Sequence, residues 1–541
     1  MAKNVLFIMC DQLRWDYLSC AGHPHLDTPH IDALAKRGVR FDRAYVQSTI
    51  CGPSRMSFYT GRYVSSHGST WNNIPLKVGE MTLGDHLRPL GVRTALCGKT
   101  HMSADVEGMK RLGLAPDSEI GALVAECGFE PYERDDGLHP SARKKKRNEN
   151  YEDYMKDKGW EDENPWESVA NSGEDEDGNL LSGWFLDNSD KAARAQDEDS
   201  ETPYITRRAM DFIREAGDTP WCLHLSYIKP HWPYIVPEPY HDMYGPETHS
   251  PVLRKEAEKE NPHPIFEAFM EERVSKAFTN DTTRSKVIGA YMGLIKQIDD
   301  QMGVLMAFLE EQGITDDTMI VFTSDHGDYL GDHWMGEKEL FHDPSARIPL
   351  IVVDPSPDAD KTRGTVSNAL VEAIDVVPTI LDYYDGPELG HIIEGKSLRP
   401  LLNGETAALR EFVISEYDYS FRRARRKLGV DVKQANLTML YDGRWKYIFS
   451  EGFRPMLFDL EKDPNEFVDL GGDPAYEAEC TRLNGLLFKW NRRISQRTTM
   501  SHAQIEERGA YMGEAKSGVV IGFATEEEFK DALSRIGEPE E

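Results

Sequence analysis

Five short apolar runs punctuate the chain, and four of them end directly in charge or imidazole. The first is Asn-Val-Leu-Phe-Ile-Met at residues 4–9; the others are Val92–Cys97, Cys222–Ile228, Met319–Thr323 and Ile348–Val353. Runs this short, without polar alternation, read as strands covered on both faces. Helical stretches separate them. Thr28-Pro29 looks like an N-cap and first helical residue, followed by Ile31, Leu34 and Ala35 on one face and a stop at Gly38. A longer helix carries Val287, Tyr291, Leu294, Ile295, Ile298, Met302, Leu305 and Leu309 along one stripe and ends at Gly313. Strands alternating with helices predict an α/β fold, a mostly parallel sheet sandwiched by helices.

In such a sheet, sites form outside the carboxyl ends of the strands. Asp11 follows the first run, Lys99 and His101 the second ("CGKTHM"), Lys229 and His231 the third ("YIKPHWPY"), and Asp325 and His326 the fourth ("TSDHGDYLGDH"). Taken singly, Asp-His-Gly is an ordinary satisfied turn and His231 an ordinary packed histidine. Four exits carrying such residues point to one site. Asp11, Asp325 and His326 offer two hard oxygens and a nitrogen, a set that suits a divalent cation.

The stretch "ICGPSRMSFYTGRY", residues 50–63, reads as a helix start. Pro53 fits the first turn, where a missing N–H costs nothing. The free N–H groups and the helix dipole favour an anion near Cys51, and Arg55 can add a fork of donors. That setting lowers a thiol's pKa and makes it reactive. A small buried residue at a helix start would look the same, so both readings stay open on these residues alone.

The formal net charge of −31 disfavours a nucleic-acid or acidic-membrane partner. No run of 18 apolar residues exists to span a membrane. The apolar run at the N-terminus is too short for a signal segment. Seven cysteines without a Cys-x-x-Cys pair read as reduced thiols, hence a cytoplasmic protein. Residues 130–205 mix a basic run at 143–147 with acid-rich stretches, and read as a long insertion with solvated faces rather than a core element, anchored around Asn164-Pro165-Trp166. Beyond about residue 405 the pattern changes. Met439–Tyr441, Asp442-Gly443 and Trp445–Ile448 predict a hairpin with a two-residue turn, and Leu457–Leu460 a further strand. Two units are therefore expected, an α/β catalytic domain over 1–405 and an antiparallel sheet subdomain with a polar tail over 406–541. The insertion and the tail, which could pack on a neighbouring subunit, suggest a homo-oligomer.

Cys51-Gly52-Pro53-Ser54-Arg55 with Thr60-Gly61-Arg62 downstream resembles the sulfatase signature, Cys-x-Pro-Ser-Arg followed by Thr-Gly. The resemblance extends to "TPHIDALAKRGVRFDRAYV", "GKTH", "PHWPY", "SDHGD" and "LFDLEKDPNEFVDL", from residue 5 to about 470. It implies the alkaline-phosphatase-like α/β fold with a smaller C-terminal antiparallel sheet domain. It also implies that a formylglycine-generating enzyme, which reads Pro53 and Arg55, oxidises Cys51 to an aldehyde. The hydrated aldehyde, a gem-diol, is then the nucleophile on a sulfate ester, next to one divalent metal ion held by Asp11, residue 51, Asp325 and His326. By the same resemblance His231 is the general acid for the leaving alcohol and His101 the base that lets the aldehyde return. Lys99, Arg55 and Lys338 (in "GEKELF") hold developing charge, and Asn72 (in "TWNNIPL") adds a hydrogen bond to substrate.

Two departures from the common family pattern bear on substrate and metal. Many sulfatases carry two adjacent acids after the first strand and Asp-Asn after the late one, whereas this chain has Asp11-Gln12 and Asp325-His326. Both choices resemble the phosphonate monoester hydrolase branch and choline-sulfatase-like members. A nitrogen ligand with fewer carboxylates shifts the expected metal from calcium toward manganese, and Gln12 could still lend its carbonyl oxygen. Lys99-x-His101, by contrast, is the arylsulfatase pattern, where the phosphonate branch has Tyr and Thr. The expected reaction is hydrolysis of small-molecule sulfate monoesters, with phosphonate monoesters or phosphodiesters as side reactions. The alternatives are a phosphonate monoester or phosphodiester hydrolase using the same site, and an unmodified, non-catalytic anion-binding member. Trp15, Trp71, Trp166 and Trp232 could line a pocket or belong to the core.

Overall fold

The computed structural model describes residues 3–141, 149–493, 498–508 and 523–534. The basic run at 143–147 and about half of the polar tail lie outside the described residues.

The strands, in chain order, are β1 (Asn4–Asp11), β2 (Val39–Tyr45), β3 (Arg93–Gly98), β4 (Glu130–Arg134), β5 (Ser172–Glu174), β6 (Leu180–Ser182), β7 (Trp221–Pro230), β8 (Thr318–Ser324), β9 (Arg347–Val353), β10 (Thr365–Glu372), β11 (Val413–Asp418), β12 (Asn436–Tyr441), β13 (Trp445–Ser450) and β14 (Met456–Asp459). Eight form one sheet in the order β10-β2-β9-β8-β1-β7-β3-β4. All five apolar runs are strands of this sheet. β1 is buried along its whole length because it sits between β8 and β7 and both its faces are covered. Leu6, Ile8 and Cys10 enter one core, with the Glu201–Ala216 and Asp281–Glu311 helices. Val5, Phe7 and Met9 enter the other, with the Cys51–Thr60 and Val376–Tyr383 helices. The period of two along one strand thus supplies both layers of the α/β fold.

The sheet is mixed. β4, β3, β7, β1 and β8 run parallel, but β9 is antiparallel to both β8 and β2. Residues 325–346 stay at the carboxyl end of β8, so the chain re-enters the sheet from that end. β4 starts at the first residue of the stretch read as a solvated insertion, yet pairs with β3 as a sheet edge. Residues 151–204 of that stretch build a small core of their own. Trp166 is fully buried beside Tyr151, Met155 and Tyr204, and its Nε1 donates to Glu201 Oε1 at 2.7 Å.

The long helix spans Asp281–Glu311, with Asn280 Oδ1 accepting from Thr282 N at 3.0 Å as its N-cap. Gly313, at φ +69°, turns the chain beyond it. The second sheet is antiparallel, in the order β11-β12-β13-β14. Its β12–β13 hairpin closes on Gly443-Arg444, one residue later than expected, because Asp442 still bonds Trp445 O and Gly443 takes φ +95°. No helix among the described residues is long and apolar enough to cross a membrane.

Candidate active site

The carboxyl ends of β1, β3, β7 and β8 meet the start of the Cys51–Thr60 helix. All ten residues of that helix are buried. Ser54 Oγ donates to Asp325 O at 2.6 Å and pins the first turn to the end of β8. Asn72 Oδ1 accepts from Gly52 N at 2.7 Å, satisfying one free donor of the helix start. A Cβ at position 52 would stand 2.7 Å from Asn72 Oδ1, so a larger residue there must displace that side chain.

Asp11, Cys51, Asp325 and His326 are all buried, and one ligand atom from each lies within 4.8 Å of the others. Cys51 Sγ is 3.1 Å from His326 Nε2 and 3.8 Å from Asp11 Oδ1. His326 Nδ1 bonds Gly327 O at 2.9 Å, which leaves Nε2 as the inward-facing donor atom. The set has two hard carboxylates, one imidazole and a position for a fourth ligand, so these residues fit a divalent cation. A second group that could hold a cation, His30 with Asp299 and Asp300, has other work: Asp299 Oδ1 accepts from the N–H groups of His30 and Ile31 and caps the Pro29–Arg37 helix.

Three buried cations face the four donors. Arg55 Nε reaches Asp325 Oδ2 at 2.8 Å and Nη2 reaches Asp11 Oδ2 at 3.3 Å, while Nη1 bonds Lys99 O and Ser226 Oγ, each at 2.8 Å. Lys99 Nζ donates to Asp11 Oδ2. Lys338 Nζ lies 3.3 Å from Cys51 Sγ and 2.9 Å from Gln12 Oε1. Lys338 comes from a loop in which Leu330, His333, Trp334, Glu337 and Glu339 all have positive φ. Five such non-glycine residues in ten mark a loop bent against local preference to bring one side chain inward.

These charges set the protonation states. Burial alone would raise the Cys51 thiol, but Lys338, Lys99 and His326 outweigh it and hold it well below its ordinary value. Burial and Cys51 push Asp11 up, while Lys99, His231 and Arg55 more than compensate and keep it ionised. Burial lowers His326, yet Asp325 and Cys51 bring its value above the usual one. Burial and Lys99 push His101 down, which keeps its ring neutral and able to accept a proton.

His101 and His231 stand on the remaining exits. His101 has φ +56°, its N–H donates to Asp136 Oδ1 at 3.1 Å, and its ring Nδ1 is buried without a hydrogen-bond partner among the described residues. His231 Nδ1 bonds Trp232 O at 3.0 Å, which frees Nε2. Lys229 turns away and bonds Asn171 Oδ1 at 2.8 Å, anchoring the 130–205 stretch instead. A cavity of about 770 Å³ has Trp184, Phe185, Arg422 and the chain neighbours of His231 and Lys338, Trp232 and Glu337, among its lining residues. Of the four tryptophans considered from sequence, Trp232 lines this cavity, Trp166 is core, Trp71 stacks on Phe421 and Trp15 lies under Arg347. Ser226 and Asp136 escaped the sequence reading, because a serine or aspartate beside a strand end carries no pattern until its partner is known, and Ser54 was named only as part of the signature. Asp328 and Tyr234 were visible only as letters inside the quoted motifs.

A model of the family described as "Sulfatase" matches residues 3–386, and one described as "N-sulphoglucosamine sulphohydrolase, C-terminal" matches residues 331–493. The chain is 30% identical to the multifunctional alkaline phosphatase superfamily protein PehA of Trinickia caryophylli, covering 94% of this chain and 98% of that one. It is 28% identical to an arylsulfatase of Clostridium perfringens, covering 90% and 94% respectively. The solved phosphonate monoester hydrolase of Silicibacter pomeroyi superposes with a TM-score of 0.81 at 28% identity, covering 93% of this chain and 98% of that one. The chain belongs to the sulfatase family, and its fold is that of the alkaline phosphatase superfamily.

Proposed function

We propose that this enzyme hydrolyses monoesters of sulfate with small alcohols or phenols, and that Asp11, Cys51, Asp325 and His326 form the reaction centre. The observation that carries the reading is the convergence of those four buried donors inside a ring of Arg55, Lys99 and Lys338. Family membership implies a metal ion and a formylglycine made from Cys51. Asp11, Asp325, His326 and the side chain of residue 51 would hold the metal, with manganese favoured over calcium because one of the ligands is an imidazole nitrogen. Bound there, the cation supplies Lewis acidity, and the hydrated aldehyde supplies the attacking oxygen.

The chain's own residues do the rest. Lys338 and Lys99 present ammonium groups where negative charge gathers on the sulfonate oxygens and at position 51. Arg55 neutralises the two carboxylates and fixes their orientation. His231, oriented by its Nδ1 bond to Trp232 O, gives the Nε2 proton to the leaving oxygen. His101, kept neutral by burial and Lys99, takes a proton from residue 51 so that sulfate can depart. Asn72, at the mouth of the helix, orients the ester. The leaving group enters the cavity walled by Trp184, Phe185 and Trp232.

A second reading, phosphonate monoester or phosphodiester hydrolysis at the same centre, draws support from the likeness to the solved phosphonate monoester hydrolase and from the Asp11-Gln12 and Asp325-His326 pairs. Sulfuryl and phosphoryl centres of similar size and charge would both fit. One experiment tests both: kcat/KM on 4-nitrophenyl sulfate and on 4-nitrophenyl phenylphosphonate. It is run on manganese-loaded protein whose tryptic peptide 44–55 has the mass of the aldehyde form. A higher value for the sulfate ester supports the first reading, and a higher value for the phosphonate replaces it with the second.

A further inference from the structure

Gln12 stands between the ammonium that faces position 51 and a buried carboxylate. Its Oε1 accepts from Lys338 Nζ at 2.9 Å. Its Nε2 donates to Asp328 Oδ2 and, at 3.0 Å, to Tyr234 OH. Tyr234 OH donates to the same Asp328 oxygen, and Leu330 N donates to Asp328 Oδ1 at 2.9 Å. The backbone of Gln12 is held as tightly. It takes φ +66°, its N–H donates to Asp325 Oδ1 at 2.9 Å, and its carbonyl accepts from Tyr291 OH at 2.7 Å. Gln12, Asp328 and Tyr234 are completely buried.

The two ends of a glutamine amide are almost the same size, so packing cannot tell them apart and only the hydrogen-bond partners can. Lys338 can only donate. Asp328 is already an acceptor at both oxygens, from Leu330 N at Oδ1 and Tyr234 OH at Oδ2, and so meets Gln12 as an acceptor too. Together they admit a single orientation, with oxygen toward Lys338. With the amide turned over, an NH2 group would face the ammonium in a dry interior, and Lys338 would have to withdraw from Cys51. Lys338 has few other holds there: among the described residues its ammonium is also near Cys51 Sγ and, at 3.6 Å, Glu337 Oε1. Cys51 cannot serve as the anchor, because it is the group to be served.

We propose that Asp328, supported by Tyr234, is a positioning residue for the reaction: it locks the Gln12 amide with its oxygen on Lys338 and so holds the Lys338 ammonium at position 51. The inference rests on the proposed function, in which Lys338 stabilises charge at that position. The exchange of polarity between the two partners makes it testable. In Asp328→Asn the lock is lost, because an amide can face either end of Gln12. In Gln12→Glu two carboxylates oppose one another. In the double variant Gln12→Glu/Asp328→Asn, the new carboxylate at position 12 accepts from Lys338 on one side and from the new amide at position 328 on the other, with nearly unchanged shape.

The variants are compared as manganese-loaded, aldehyde-bearing enzyme with an aryl sulfate. Affinity for inorganic sulfate is measured by calorimetry in a Cys51→Ala background, a readout that needs no turnover. Each single variant is expected to lose roughly ten- to a hundredfold in kcat, with KM changed much less, and to bind sulfate more weakly. The double variant is expected to recover most of both. Unchanged kcat and sulfate affinity in Asp328→Asn, or a double variant no better than the worse single one at a normal melting temperature, overturns the inference. Where a single variant does not fold, the double variant still decides, since restored pairing must restore fold and turnover together. Lys338→Ala separates the two levels. If it leaves kcat and sulfate affinity intact, the role of Lys338 itself falls. If it damages both while Asp328→Asn damages neither, only the Asp328 lock falls.

Discussion

Arg55 and Asp325 are joined by a 2.8 Å contact between Nε and Oδ2, and neither side chain has any solvent exposure. The same guanidinium reaches Asp11 Oδ2 at 3.3 Å, so one arginine on a helix neutralises carboxylates from the ends of two strands. Its fork of donors also bonds Lys99 O and Ser226 Oγ, on the two remaining exits. Residues more than a hundred positions apart are thereby held in one plane of donors. A lysine has one point of charge and cannot span them.

Arg55→Lys is therefore expected to lose metal affinity and activity together. Arg55→Ala, which strands two buried carboxylates, is expected to destabilise the metal-free protein by about 3–5 kcal/mol. Metal content after dialysis and thermal unfolding check the two parts. A melting temperature of Arg55→Ala equal to that of the parent would refute the second.

The role given to His231 predicts a dependence on leaving group. A general acid matters little when the alcohol departs readily and greatly when it does not. His231→Gln is expected to lower kcat/KM only modestly on 4-nitrophenyl sulfate, and by roughly a hundredfold or more on an unactivated phenyl or alkyl sulfate. The slope of log kcat/KM against leaving-group pKa, compared between parent and variant, is the measurement. Parallel slopes would remove His231 from that role.

Lys446 ties the second sheet to the active-site loop. It is completely buried, and its Nζ donates to Phe341 O at 2.9 Å and pairs with Asp343 Oδ1 at 2.7 Å and Glu466 Oε1 at 2.6 Å. Lys446→Met leaves two buried carboxylates facing each other and is expected to cost about 3–5 kcal/mol in stability. Adding Glu466→Gln should return part of that loss, because it removes one of the two charges. Urea unfolding midpoints of the single and double variants supply the comparison.

Glu339 makes stability depend on pH. Burial, reinforced by Glu337 and only partly opposed by Arg422, pushes its carboxyl up to about 8. Between the unfolded value near 4.5 and that folded value, the folded protein keeps a proton that the unfolded chain has released. Its contribution therefore favours the fold at acid pH and is lost as pH rises through this window, at about 1.4 kcal/mol for each tenfold difference in proton affinity. Glu339→Gln, which cannot ionise, is expected to match the parent's melting temperature near pH 5 and exceed it by several degrees near pH 9. Identical pH profiles of melting temperature for the two proteins would contradict this.

The part of the site legible in sequence is the part encoded locally. Apolar runs reported which segments are buried on both faces. The residues after them reported what each strand end carries, and Cys51 with Pro53 and Arg55 reported a helix start. Asp11, Cys51, Lys99, His101, His231, Asp325, His326 and Lys338 were all named in this way or by resemblance to a family. β2, β4 and β10 were not, since their residues are partly exposed and lack an unbroken apolar run. Lys229 sits at a strand end like Lys99 but serves the 130–205 stretch instead, which its neighbours in sequence do not reveal.

Burial of each strand and the residues that follow it are thus properties of short segments, and the sequence alone determined them. Tertiary structure decided which way β9 runs, which lysine turns inward, and which end of the Gln12 amide meets Lys338. Those choices depend on hydrogen-bond partners hundreds of residues apart, such as Gln12 with Asp328 and Arg55 with Asp325, which become neighbours only when the sheet has closed around them.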